Sequence, residues 1–141
     1  MPKKICIIDG QGGGIGSTII KKLKLVYGES IEILALGTNA IATSQMLKAK
    51  ANRGATGENA IVHTVQHVDV IVGSVGIVLA NAMMGEVTPR MAAAVSGSRA
   101  PKYLLPLSQE NVSIIGVTND PLPHLVDELV DVRLKEVMNG L

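Results

Sequence analysis

The sequence predicts an α/β protein of three layers, in which helices cover both faces of a five-stranded parallel sheet with the strand order 3-2-1-4-5. Short apolar runs rich in β-branched residues alternate along the chain with segments of helical periodicity. The composition agrees with this class. Hydrophobic residues make up 47% of the 141 residues while Phe and Trp are absent, so Ile, Val, Leu, Ala and Met must fill the core. The length suits a single domain over residues 1–141.

In the first half of the chain the pattern alternates between strand and helix. Apolar runs predict strands at residues 3–9, 31–36 and 68–72. Helical spacing predicts helices at residues 15–27 and 58–66, and a helix between them that Thr38 or Asn39 caps and that runs to about residue 50. The segment 51–57 is predicted to be a loop, because it contains two glycines and few apolar residues.

In the second half, residues 77–84 are apolar nearly all round, which predicts a buried helix closed by Gly85. Thr88 as N-cap and Pro89 predict the start of a further helix that ends at Gly97. Strands are predicted at residues 102–107 and 112–117, and a last helix is predicted to begin at residues 119–121, where Asn and Asp precede Pro.

The topology predicts where a ligand binds. In such sheets ligands bind outside the carboxyl ends of the strands, at the point where the strand order reverses, which here lies beside the first strand. The residues that follow the predicted strands are small and polar: Asp9-Gly10, Gly37-Thr38-Asn39, Gly73-Ser74, Leu107-Ser108 and Thr118-Asn119.

The turn after the first strand is the strongest functional signal. Five of the seven residues from Gly10 to Gly16 are glycine, so bare amide groups and the positive end of a helix dipole can face an anion. We predict a phosphate-binding site here; a tight turn without a ligand is the alternative. The predicted site residues are Asp9, Gly10, Gln11, Gly12, Gly13, Gly14, Ile15, Gly16, Thr38, Asn39, Gly73 and Ser74.

Two well-known phosphate-binding loops do not match. The dinucleotide fingerprint G-x-G-x-x-G fails because Ile15 stands where the third glycine belongs. The loop of deviant Walker ATPases fails because Gln11 and Gly16 stand where its lysines belong, which disfavours ATP hydrolysis.

Gly10, Gly14, Ile15 and Gly16 match the G-x-x-x-G-I-G spacing, so this segment resembles the pyrophosphate-binding turn of the short-chain dehydrogenases. The resemblance implies a Rossmann-like fold and NAD or NADP as cofactor. The acid that contacts an NAD ribose is missing after the second strand, where the sequence has Leu36-Gly37-Thr38-Asn39. This favours NADP, another nucleotide or a small phosphate, and Arg53 either reaches a 2′-phosphate or is simply solvated.

The catalytic Tyr-x-x-x-Lys of that family is also missing, because Ile31 lies four residues after Tyr27 and Leu107 four after Tyr103. His124 is interpreted as a surface residue or as an acid or base. Asp9 either accepts a ribose hydroxyl or a metal-bound water, or caps the amides of its own turn.

Two further groups have both a functional and a structural interpretation. His63 and His67 share a helical face but lack an intervening Glu, so we predict no metal site. Ser96, Ser98, Arg99 and Lys102 either hold an anionic group or form a solvated loop.

Charge and cysteine content restrict the partners and the compartment. The net charge of +1 gives no electrostatic case for nucleic acid. The single cysteine, Cys6, suits a reducing cytoplasm, and neither a signal peptide nor a membrane span is expected. The apolar surplus of residues 77–84 and of the last helix predicts a homodimer.

The segments DGQGGGIG, GSVGI, GEVTPRMA and PLPHLVDELV resemble a short uncharacterised bacterial family of unknown function. That resemblance implies a cytoplasmic Rossmann-like protein and no particular reaction. The leading hypothesis is a stand-alone nucleotide- or dinucleotide-binding module with a regulatory role. The alternative is a small NAD(P)-dependent oxidoreductase whose active site is completed by oligomerisation, with Asp9, Ser74 or His124 moving protons.

Overall fold

The computed structural model describes residues 2–108 and 110–139 and confirms the predicted fold class. Five parallel strands form one sheet in the order β3-β2-β1-β4-β5. The strands are β1 (Lys3–Asp9), β2 (Ile31–Gly37), β3 (Arg53–Thr56), β4 (Val70–Ser74) and β5 (Lys102–Leu105).

Helices lie on both faces of the sheet. They are α1 (Gly14–Tyr27), α2 (Ala40–Lys48), α3 (Glu58–Thr64), α4 (Pro89–Gly97), α5 (Leu122–Glu128) and α6 (Leu134–Asn139). A π-helical turn over Leu129–Arg133 joins α5 to α6. Asn39 caps α2 and Thr88 caps α4, as predicted. Within the described residues, no helix is long and apolar enough to cross a membrane.

Two aliphatic clusters, one on each face of the sheet, hold the layers together. Successive side chains of β1 point to opposite faces, so Ile5 and Ile7 join the cluster under α1, α2 and the C-terminal helices. Cys6 and Ile8 join the cluster under α3 and α4. Fully burying an aliphatic side chain stabilises a fold by about 1.5–3 kcal/mol, so the centre of the sheet is a rigid platform for its edge.

The strand register aligns three carboxyl ends at that edge. Asp9 at the end of β1 pairs with Gly37 at the end of β2. Ile7 pairs with Val72 of β4, and two residues further along both strands this register brings Asp9 level with Ser74. The sheet order reverses between β1 and β4, so the predicted switch point lies between these two strand ends.

The prediction of a loop at residues 51–57 is wrong, because this segment contains β3. All four residues of β3 are exposed, so no apolar alternation marks the segment. It is a strand because its backbone pairs with β2 from Leu34 to Gly37. In consequence, the strand predicted third in the chain is the fourth, and it pairs with β1.

The helix predicted at residues 77–84 is also wrong. The chain forms a 3₁₀ turn over Val75–Val78 and then irregular turns, with φ of 66° at Asn81, 58° at Met83 and 57° at Met84. The segment is apolar because Ile77 and Ala82 are buried in the cluster under α3 and α4. A run that is apolar all round does not distinguish a helix from a buried irregular segment.

The strand predicted at residues 112–117 is not formed, and β5 is the edge of the sheet. The β propensity of Val and Ile depends on packing against a neighbouring strand, and Ile115 is 93% exposed. The last helix begins at Leu122, with Pro121 as its N-cap, later than the predicted Asn119.

The apolar helix faces on which the homodimer prediction was based are largely buried within the chain itself. At most 7% of the surface is exposed in Ile77, Leu125, Val126, Leu129, Val130 and Leu134. Met84 and Val132 are the exposed members, at 97% and 51%. The inferred surplus of apolar surface on these two segments is therefore wrong, because the sheet covers most of it.

Candidate functional site

A cavity of about 290 Å³ opens between the ends of β1 and β4, at the switch point of the sheet. Its described lining consists of Asp9, Gln11, Ile15, Ser74, Gly76, Met83, Leu107, Ser108 and Glu110. The lining combines three apolar side chains with five polar or acidic ones, which suits a ligand with both apolar and hydrogen-bonding parts.

Three glycines of the loop are required by packing or backbone conformation. A Cβ at Gly10 would lie 2.6 Å from Met83 Sδ, and one at Gly16 would lie 2.6 Å from Met46 Sδ. Gly13 has a φ of 74°, and a Cβ there would meet the backbone oxygen of Ala42 at 2.9 Å. These glycines let the loop pack closely against β2, α2 and the segment after β4. Packing and backbone conformation therefore account for them without a ligand.

Neither packing nor backbone conformation requires glycine at positions 12 and 14. Neither Gly12 nor Gly14 has a positive φ, and a Cβ added to either would meet no atom within 4 Å. Neither backbone N–H has a hydrogen-bond partner in residues 2–108 and 110–139. Gly14 is the first residue of the 14-residue helix α1, whose N-cap Gly13 offers no side-chain bond. Two exposed amide donors therefore lie at the positive end of a helix dipole.

Asp9 caps the amides of its own turn, which was one of its two interpretations. Its side chain is 5% exposed. Oδ1 accepts from Gly10 N–H at 2.8 Å and Oδ2 from Gly16 N–H at 2.7 Å. Burial raises the pKa of Asp9, although the bonds from Gly16 and Gly10 counteract this, and the nearby Glu86 carboxylate raises the pKa further.

Glu86 is a site residue that sequence reasoning missed. Its Oε1 accepts from Gln11 N–H at 2.9 Å, from Thr38 Oγ1 at 2.6 Å and from Asn39 Nδ2 at 2.8 Å. Burial alone would raise the pKa of Glu86, but the three hydrogen bonds outweigh it, and the net pKa is lowered. No local sequence pattern indicates Glu86 as a site residue, because its hydrogen-bond partners lie far from it in the sequence.

Thr38 and Asn39 lie at the predicted edge of the sheet, but both already form hydrogen bonds within the protein. Asn39 donates to the backbone oxygen of Gln11 as well as to Glu86, and accepts from Ala42 N–H as the N-cap of α2. Together with Glu86 they fix the outer side of the glycine loop. The carboxylate that is missing after β2 in the sequence is therefore supplied from the segment that precedes α4.

Ser74 and Gly73, both predicted site residues, differ in role. A Cβ at Gly73 would lie 2.8 Å from the backbone oxygen of Ile8, so Gly73 allows close strand packing and does not face the cavity. Ser74 contributes to the cavity lining and is 4% exposed. Its side chain borders the cavity and forms no hydrogen bond with another residue of the described ranges.

Glu110 is the second residue that the sequence did not indicate. It lines the cavity, and its Oε1 accepts from Met83 N–H at 2.7 Å. Leu107 and Ser108, which the sequence predicted to follow a strand end, also reach the cavity. No cationic side chain is among the described residues that line it.

Several candidates lie elsewhere. His124 is exposed on α5. Arg53 stands at the start of β3, where Nε donates to Glu32 at 2.9 Å, so it does not approach the glycine loop. Ser98 and Lys102 bond to backbone oxygens of Val65 and Ser98, which favours the interpretation of this group as a loop over that of an anion site.

His63 and His67 have ring centroids 5.0 Å apart. Within the described ranges, no group of three or more His, Cys, Asp or Glu side chains is placed to hold a metal ion.

A second cavity, of about 460 Å³, lies between β5 and the C-terminal helices. It is larger, but Gly116, Val117 and Thr118 of an exposed irregular segment form one of its walls. It contains neither the glycine loop nor the end of β1. We take the smaller cavity as the functional site because it lies at the switch point of the sheet, and because Gln11 and Ile15 of the glycine loop line it together with Ser74.

Comparisons with known proteins identify a family and leave the ligand open. A search of curated proteins found no match. One solved structure that resembles this chain is described as a crystal structure of universal stress protein in complex with cAMP; it is 19% identical, with a TM-score of 0.42, and the match covers 74% of this chain and 98% of that one. Over residues 4–139 the chain matches the family described as a domain of unknown function, DUF3842. The protein belongs to the DUF3842 family.

Proposed function

We propose that the protein is a nucleotide-binding module whose site is the glycine loop and the cavity between β1 and β4. The observation that carries the proposal is the pair Gly12 and Gly14. Within the described part of the chain both amides lack a hydrogen-bond partner, and both have open space beside them at the start of α1, which is the arrangement that binds phosphate at helix N-termini. A side chain at either position would occupy the space that a phosphate needs.

A binding role fits the side chains better than the oxidoreductase alternative does. Both carboxylate oxygens of Asp9 already accept backbone hydrogen bonds, and burial raises its pKa. His124 is exposed and outside the cavity lining. Ser74 has no hydrogen bond to a base among the described residues, and a serine that no base contacts is a weak acid and a weak base.

Among dinucleotides, the geometry favours NAD over NADP. An adenosine ribose would extend from the glycine loop towards the end of β2. There the Glu86 carboxylate accepts hydrogen bonds from Thr38 and Asn39. A carboxylate can accept from ribose hydroxyls but repels a 2′-phosphate. This reverses the preference for NADP that the missing acid after β2 indicated in the sequence.

The test is a calorimetric titration with ribonucleoside 5′-monophosphates, ATP, NAD and NADP, on the native protein and on Gly14→Ala. The substitution adds a single Cβ where the fold has room, and Ala favours a helix over Gly by roughly 0.5–1 kcal/mol. We expect nucleotide affinity to fall at least tenfold while the melting temperature stays the same or rises.

Gly97→Ala is the matched control, because Gly97 is also an exposed helical glycine with open space around its Cβ but lies at the far end of α4. It should leave affinity unchanged. Unaltered binding in Gly14→Ala, or no binding of any of these nucleotides to the native protein, would contradict the proposal.

A further inference from the structure

We infer that the cavity recognises the ribose hydroxyls of a ribonucleotide, so that the ligand is a ribonucleoside 5′-phosphate rather than a phosphate ester without a vicinal diol. This inference rests on the proposed function, since it takes the phosphate to lie on Gly12 and Gly14. It adds the chemistry of the remaining part of the ligand.

The hydroxyl of Ser74 is the first observation. Ser74 ends β4, lines the cavity and is 4% exposed. Ser74 forms no side-chain hydrogen bond within residues 2–108 and 110–139, and its side chain borders the cavity. A hydroxyl can both donate and accept, so a ligand hydroxyl in the cavity would satisfy it.

The two carboxylates of the lining are the second observation. Each oxygen of Asp9 accepts one backbone bond, which leaves further lone pairs. Glu110 uses Oε1 for Met83 N–H, while Oε2 has no hydrogen-bond partner in the described part of the chain. With no cation among the described lining residues, the interior of the cavity accepts hydrogen bonds and repels anions.

The site therefore has two parts of opposite character. The outer part, at Gly12 and Gly14, lies outside the cavity lining but between two of its members, Gln11 and Ile15, in the sequence, and presents amide donors to an anion. The inner part, at Asp9, Ser74 and Glu110, presents acceptors and a hydroxyl to hydrogen-bond donors. A ribonucleoside 5′-phosphate matches this order, because its phosphate is followed directly by a sugar with two neighbouring hydroxyls. The volume of about 290 Å³ is just below the usual range of ligand pockets, about 300–1,000 Å³.

The experiment compares the four ribonucleoside 5′-monophosphates with their 2′,3′-dideoxy counterparts by calorimetry. Loss of a hydrogen bond to a charged acceptor lowers affinity by roughly tenfold to a hundredfold, so we expect the dideoxy ligands to bind at least tenfold more weakly. Ser74→Ala should weaken the ribonucleotides but leave the dideoxy ligands nearly unchanged.

Ser96→Ala is the control, since Ser96 is exposed and bonds only to its own helix at Ala93. An unchanged or higher melting temperature of Ser74→Ala shows that the variant is folded. Equal affinity for ribose and dideoxy ligands would overturn this inference and leave the proposed function intact. No binding of either series, or of inorganic phosphate, would overturn both.

Discussion

At the scale of single residues, the site is defined by two carboxylates whose pKa values move in opposite directions. Asp9 is buried with an elevated pKa, so ionising it is unfavourable in the folded state, and its contribution to stability falls as the pH rises through that pKa. Glu86 has a lowered pKa, so its contribution is present at neutral pH and is lost as the pH falls through the folded pKa. Together the two carboxylates accept hydrogen bonds from three amides of the glycine loop, those of Gly10, Gln11 and Gly16.

Glu86→Gln provides a direct test of this difference. The variant keeps an acceptor for Gln11, Thr38 and Asn39 but loses the charge that makes those bonds strong. We expect the native protein to have the larger free energy of unfolding at pH 7, and the difference to disappear as the pH falls below the ordinary Glu pKa of about 4.3. Urea unfolding across this pH range measures it.

Glu136→Gln is the comparison variant, because Glu136 is exposed on α6. It should follow the native protein at every pH. A constant difference between Glu86→Gln and the native protein down to low pH would show that the charge of Glu86 does not stabilise the loop.

At the scale of elements, the sequence predicts those parts whose signal is local. The strands β1, β2 and β4, the helix α1 and the caps Asn39 and Thr88 all follow from apolar runs and capping residues. The edge strand β3 was not predictable in this way, because its residues are exposed and only pairing with β2 makes it a strand. The turns after β4 were mistaken for a helix because burial there comes from tertiary packing.

The same distinction applies to the candidate site. Asp9, Gly12, Gly14 and Ser74 could be located from strand ends and glycine spacing. Glu86 and Glu110 could not, because their contacts to Thr38 and Met83 arise from long-range folding.

Asn39 connects an element to the site, and its replacement is predicted to affect both. Asn39→Ala removes the N-cap bond to Ala42 and the bonds to Gln11 and Glu86. Loss of an N-cap costs roughly 0.5–2 kcal/mol, so we expect the free energy of unfolding to fall by at least about 1 kcal/mol. Asn59→Ala is the control, since Asn59 is exposed within α3. Equal stability of the two variants in denaturant titrations would contradict this role.

At the scale of the whole molecule, self-association remains a prediction, but its surface changes. The helix faces first considered are mostly buried. One run of exposed apolar residues consists of Val112, Ile114, Ile115 and Val117, at 46%, 41%, 93% and 49% exposure. This segment lies beside β5, the open edge of the sheet, and such a patch favours contact with a second copy.

We expect sedimentation velocity at micromolar concentration to show a reversible dimer, and Ile115→Asp to shift it to the monomer. Because Ile115 is exposed, the substitution should leave the monomer folded. A native protein that sediments as a monomer at all concentrations would contradict the prediction without affecting the nucleotide site.

The central claim is that Gly12 and Gly14 donate their amides to a nucleotide phosphate. Its most direct test is a titration followed in ¹H–¹⁵N correlation spectra of the labelled protein with a ribonucleoside 5′-monophosphate. We predict the largest shifts at the amides of Gly12 and Gly14, with smaller shifts at Ser74 and Glu110. Spectra in which these amides do not move at saturating nucleotide, or in which the shifts cluster around β5 and the C-terminal helices, would contradict it.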